Sequence, residues 1–93
     1  MATAKIRVKL HDVAARLKWA RTASGLNRTA LSVRAGLVKG HVALIEDRLR
    51  VNIDIETAKK IASVLGVNWQ WLRLGEGDPP TEAQIKKAVA GAA

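Results

Sequence analysis

Apolar residues along this chain recur mostly at helical spacing, in short blocks separated by polar caps and glycines. Leu10, Val13, Ala14, Leu17 and Ala20 fall along one side, with Arg21 at its edge, predicting a first helix over about residues 11–23. Ser24-Gly25 ends it, and Leu26 reaches back to the core. Trp19 falls on the opposite side of that helix, so it is either covered by another part of the chain or belongs to a subunit interface. The stretch 27–46 then reads as two short helices around a tight turn. Asn27 offers a side-chain oxygen to the unpaired N–H groups of the first turn, and Leu31, Ser32 and Ala35 face inward. Gly36 supplies the positive φ that a helix C-terminus often needs, and Leu37, Val38, Val42 and Ile45 continue an apolar stripe.

A connector over 47–53 carries Arg48 and Arg50. Asp54 is the predicted N-cap of a helix ending near Leu65, with Ile55, Ala58, Ile61, Ala62 and Leu65 inward and Gly66 as its stop. Asn68 caps a short helix over 69–74, closed by Gly75, with Trp71 and Leu72 as its core residues. Pro79-Pro80 make a break, after which Thr81 begins a capping box with Gln84 and a last, weak helix spans 83–90. Only Lys5-Ile6-Arg7-Val8-Lys9-Leu10 alternates with the period of a strand. It is either a disordered arm or a strand that pairs with its copy in a dimer.

Bulk composition narrows the class. Ninety-three residues make one domain, and 48% hydrophobic residues are enough for a compact core. Without cysteine there is no disulfide framework and no thiolate zinc site. The longest uncharged apolar run, residues 63–72, is too short to span a bilayer, and the basic N-terminus has no continuous apolar segment behind it. A soluble cytoplasmic protein is the expectation. The net charge of +8 lies entirely in the first half: eleven basic residues up to Arg50 face three acidic ones, whereas five face five beyond it. That half attracts an acidic polymer, most commonly nucleic acid, or else is simply a solvated basic surface. An anionic membrane fits less well, because no helix pairs a large apolar face with a lysine-rich one.

Two short helices joined by so tight a turn cross steeply, which is the helix-turn-helix unit. Around it the chain resembles the Cro and phage-repressor type of protein, the XRE family. The matching residues are Arg16-Leu17-Lys18-Trp19-Ala20-Arg21, Gly25-Leu26-Asn27, Leu31, Ala35-Gly36-Leu37 and Val42 to Glu46. They continue through Thr57-Ala58-Lys59-Lys60-Ile61-Ala62, Leu65-Gly66-Val67, Trp71-Leu72 and Gly75-Glu76-Gly77. The resemblance covers roughly residues 10–77 and implies an all-α, five-helix, lambda-repressor-like DNA-binding domain. A basic arm over 1–9 precedes it, and a linker with a short C-terminal helix over 78–93 follows.

The resemblance further implies that a helix over 38–45 enters the major groove of DNA. A helix wheel turns Val38, Val42 and Ile45 inward and Gly40, Ala43, Leu44 and Asp47 outward, with Lys39 and His41 on the flanks. The family's base-reading positions map onto Lys39, Gly40, Ala43 and Leu44, and His41 beside them matches a position often in contact with phosphate. Lys39 donates to guanine O6 or N7 in this scheme, and Ala43 and Leu44 touch thymine methyl groups. Arg28 stands where the family usually has a glutamine touching phosphate, and Arg48, Arg50 and Asn52 lie in the loop placed against the backbone. Arg48 replaces the glycine usual at this helix end. Lys5, Arg7 and Lys9 of the arm follow a groove or the backbone. The family pairs Glu46 with Arg21, implying a structural ion pair.

The reading face holds few of the Arg, Asn and Gln donors common in direct readout, so methyl contacts, DNA shape and the basic arm carry more of the specificity. No second acid or nucleophile accompanies Glu46, and His11 and His41 are too few and too separated for a metal site; no enzyme activity, metal or cofactor is expected. The three tryptophans read as packing groups rather than a base-stacking platform. The leading expectation is a transcriptional repressor binding a near-palindromic operator as a homodimer. The alternatives are the antitoxin of a toxin–antitoxin pair, with a toxin as protein partner, and an interaction adaptor that uses the Ala43–Leu44 surface without binding DNA.

Overall fold

The computed structural model describes residues 12–50 and 52–91, which form six helices and no strand. The arm with Lys5, Arg7 and Lys9, together with Leu10, His11 and Val51, lies outside the described residues. The helices are α1 (Val13–Ser24), α2 (Arg28–Arg34), α3 (His41–Glu46), α4 (Ile55–Leu65), α5 (Trp69–Leu74) and α6 (Glu82–Gly91). None is long and apolar enough to cross a membrane.

Caps set most of the boundaries. The Asp12 carboxylate accepts from the Ala15 N–H at 2.9 Å, so α1 starts two residues later than the apolar pattern suggests and runs one residue further, to Ser24. Asp54 accepts from Thr57 at 2.9 Å to start α4, and Asn68 accepts from Gln70 at 2.8 Å to start α5. These short side-chain bonds satisfy N–H groups that the first turn of any helix leaves unpaired.

Helix α1 is the hub, packing against α3, α4, α5 and α6, while α2 leans on α3 and α4. Leu17, Leu31, Val42, Ile45, Ile61, Leu65, Leu72 and Ile85 are fully buried where these helices meet. Trp19, on the far side of the α1 wheel, is covered from within the chain. It packs against the core and meets Trp71 edge-to-face, with ring centroids 6.1 Å apart.

One inward assignment is corrected. Ile55 is 44% exposed, and Ile53 just ahead of the cap is buried instead. Once Asp54 caps α4, its inward stripe is Ala58, Ile61, Ala62 and Leu65, and the first-turn residue Ile55 falls outside it. Ile53 enters from the extended segment before the helix, where the Arg73 Nε donates to its carbonyl at 2.8 Å.

The core continues beyond Gly77. After the prolines, Thr81 and Gln84 form a reciprocal capping box, with N–H to side-chain oxygen distances of 2.8 and 3.1 Å. Helix α6 then lies across α1 and α4 and buries Ile85 and Val89 in the common core. It meets the end of α4 at Gly66, the C-cap, where φ is +70° and an added Cβ would overlap the Cβ of Ala88.

Candidate nucleic-acid interface

The turn between α2 and α3 is built by backbone and one hydroxyl. Asn27 caps α2 by accepting from Ala30 at 2.7 Å. At its other end Gly36 takes φ +76°, and the Leu37 N–H donates back to the Ser32 carbonyl at 2.9 Å. Leu37 therefore turns toward the core, while Val38 is 72% exposed. The inward placement of Val38 and the start of the reading helix at residue 38 are both corrected here, since α3 begins three residues later, at His41. Gly40 precedes it and has no side chain with which to cap. The fully buried Ser32 hydroxyl takes over that task, donating to the Arg28 carbonyl at 2.9 Å and accepting from the Val42 N–H at 3.0 Å. A small polar residue on the inner face of α2 was the only sequence sign of it.

On α3, Val42 and Ile45 are fully buried. His41, Ala43 and Leu44 are half-buried, and Lys39, Gly40 and Asp47 are exposed. The residues expected to face DNA thus divide between the turn, with Lys39 and Gly40, and the helix, with His41, Ala43 and Leu44. Beyond α3 the chain folds back, and both Leu49 and Arg50 donate their N–H groups to the Leu44 carbonyl at 2.9 and 3.1 Å. Arg48 occupies the bend with φ +60°, a left-handed conformation that glycine adopts more readily. His41, Arg50 and Asn52 come together around an open cleft of about 190 Å³ ahead of α4.

The scaffold beneath this face is tied by charge. Arg21 of α1 grips Glu46, the last residue of α3, with Nε and Nη2 at 2.6 and 3.0 Å from its two carboxylate oxygens. The third arm of the guanidinium donates to the Leu26 carbonyl at 3.0 Å. The Arg21 and Glu46 side chains are only 15% and 3% exposed. Arg28 donates to Asp47 at 3.0 Å across the α2–α3 pair, and Arg48 bridges bidentately to Asp12 at 3.0 and 3.2 Å. All three acidic residues of the basic half, Asp12, Glu46 and Asp47, therefore hold an arginine.

Arg16 is a structural residue that sequence reasoning passed over. Its buried guanidinium donates through Nε to Leu72 O at 3.0 Å and through Nη2 to Arg73 O at 3.1 Å, satisfying carbonyls at the end of α5. Burial lowers its pKa, and the nearby Asp12 carboxylate opposes that shift. The available signal was its spacing: Arg16 lies three residues after Val13 and beside Leu17, on the inward side of α1.

A helix is thus presented with basic groups near both ends, on a scaffold fixed by a nearly buried ion pair. The family model described as Helix-turn-helix matches residues 17–72, from within α1 through most of α5. No curated protein and no solved structure matches the chain.

Proposed function

This chain belongs to the helix-turn-helix family, of the Cro and XRE type, a family of DNA-binding transcription regulators, and on that premise we propose that it is a sequence-specific repressor of phage or bacterial origin. It binds a near-palindromic operator as a homodimer, with α3 and the turn before it in the major groove. Lys39 donates to guanine, Ala43 and Leu44 meet thymine methyl groups, and Gly40 lets the backbone approach the bases. His41, Arg50 and Asn52 take one phosphate region and Arg28 another. Arg48 takes a third, and Lys5, Arg7 and Lys9 extend the contact from the arm.

The observation that carries this reading is the placement of cations around α3. The cleft shared by His41, Arg50 and Asn52 adjoins its N-terminus, while Arg28 reaches the residue after its C-terminus. A duplex laid along α3 meets donors at both ends, the arrangement that fixes register on a phosphate backbone. Arg28 and Arg48 are held by carboxylates before DNA arrives, but both pairs are substantially exposed. Exposed pairs of this kind contribute only about 0–1 kcal/mol, so phosphate replaces the carboxylates at little expense.

Selection of bound duplexes from a random pool tests the proposal. The expected product is a pair of inverted half-sites with centres about 10 base pairs, or 34 Å, apart. Enriched sequences without inverted symmetry would contradict the homodimer on a palindromic operator.

A further inference from the structure

Away from the reading turn, an open cleft of about 260 Å³ lies where the N-terminus of α1, the end of α3 and the end of α5 meet. Four arginines line it, each from a different part of the chain: Arg16 of α1, Arg48 after α3, Arg50 of the connector and Arg73 of α5. Among the described residues, Asp12 is the one carboxylate in the lining, beside the apolar Val13 and Ile45. Three of these guanidiniums are oriented by protein acceptors. Arg16 donates to Leu72 and Arg73 carbonyls, Arg48 to Asp12, and Arg73 to the Ile53 carbonyl. Arg50 is exposed, and its side chain makes no hydrogen bond or ion pair with a described residue.

We propose that this cleft is a binding site for a small organic anion carrying two or more negative charges, a phosphomonoester or a polycarboxylate. Four like charges held around one concavity repel one another, and a single described carboxylate, Asp12, which acts on both Arg48 and Arg16, stands against them. Guanidiniums held in place are pre-organised forks for phosphate or carboxylate oxygens. Burial already disfavours the charge on Arg16, so an anion nearby relieves a cost that the fold carries. Charge also chooses between the two sources of such oxygens. A DNA phosphodiester brings one negative charge on a convex backbone, whereas the cleft is concave and presents four guanidiniums to one carboxylate. That excess suits a free ligand of higher charge. The site does not depend on the DNA reading, because its occupant is recognised in the absence of DNA.

The test is a calorimetric titration of the full chain with pyrophosphate and with citrate, against sodium chloride at matched ionic strength. Saturable binding of one anion per chain is expected. Arg50→Gln is expected to weaken it roughly tenfold, the loss of one charge-assisted hydrogen bond. Asp12→Asn is expected to tighten it, since asparagine still caps α1 while the competing carboxylate is gone. Lys86→Gln, on the exposed side of α6, removes the same charge elsewhere and is expected to change nothing. Absence of saturable binding overturns the site, as does equal weakening by Lys86→Gln or no tightening by Asp12→Asn. Repeating the titration with a saturating short duplex separates the sources. Saturable pyrophosphate binding that persists at reduced affinity, as expected while DNA phosphates share Arg48 and Arg50, supports a free ligand, and full mutual competition gives the cleft to the DNA backbone and overturns the proposal.

Discussion

Arg21→Ala is expected to destabilise the fold by about 3–5 kcal/mol, because it removes one partner of a nearly buried ion pair. Glu46 is 3% exposed and receives two guanidinium N–H groups, so the substitution strands a carboxylate with little access to water. The same change frees the Leu26 carbonyl, which Arg21 also holds at 3.0 Å. Since Glu46 ends α3, the pair fixes how that helix sits on α1. A domain of this size typically has only about 5–10 kcal/mol of net stability, so roughly half is at stake. Thermal unfolding followed by circular dichroism is expected to show a fall on the order of 20 °C. Arg21→Ala with Glu46→Ala is expected to lose less than Arg21→Ala alone, because no charge is then stranded. A melting temperature equal to that of the parent would refute the structural weight of the pair.

Gly66→Ala is the second large effect, expected at about 2–5 kcal/mol from two sources. A left-handed φ of +70° costs a residue with a Cβ about 1–2 kcal/mol. The new methyl also lands on Ala88, and forcing α6 off its seat adds about 1–3 kcal/mol of overpacking strain. Gly25 separates the two, since its φ is +81° and nothing lies within 4 Å of an added Cβ. Gly25→Ala is therefore expected to pay only the backbone part. Adding Ala88→Gly to Gly66→Ala should recover the steric part. Urea unfolding midpoints of these variants provide the comparison; equal losses for Gly66→Ala and Gly25→Ala would mean that α6 does not dock at this point.

Much of the helical framework was legible because it is encoded locally. Asn27, Asp54 and Asn68 announce helix starts through side-chain oxygens, and Gly25, Gly66 and Gly75 end helices through positive φ. The apolar spacing of Leu17, Leu31, Ile61, Leu65 and Leu72 found the centre of the core. What escaped was long-range. Val38 continues a helical stripe in sequence, but the Leu37-to-Ser32 hydrogen bond turns it outward and delays α3. Ile53, not Ile55, is buried, in a segment whose carbonyl is held by Arg73 of α5, 20 positions away. The docking of α6 depends on Ala88 meeting a glycine far from it in sequence.

The surface followed the same division. Basic residues around the turn were visible as a charge excess, but not which of them carry partners. Arg28 and Asp47 are 19 positions apart, and Arg48 and Asp12 are 36 apart, separations that no periodicity encodes. Arg16 was hidden for a related reason. Its acceptors lie on α5, and a charged residue on an inward face is legible only when the opposite helix end is known.

The central claim, that the basic half with α3 at its centre binds DNA through phosphate contacts, is tested most directly by duplex affinity as a function of salt. For the parent protein, log affinity is expected to fall linearly with log salt, with a slope of about −0.9 for each phosphate neutralised. Arg28→Gln and Arg50→Gln should each weaken binding and flatten that slope by about one. An affinity unchanged between low and physiological salt, or slopes indifferent to both substitutions, would contradict the account.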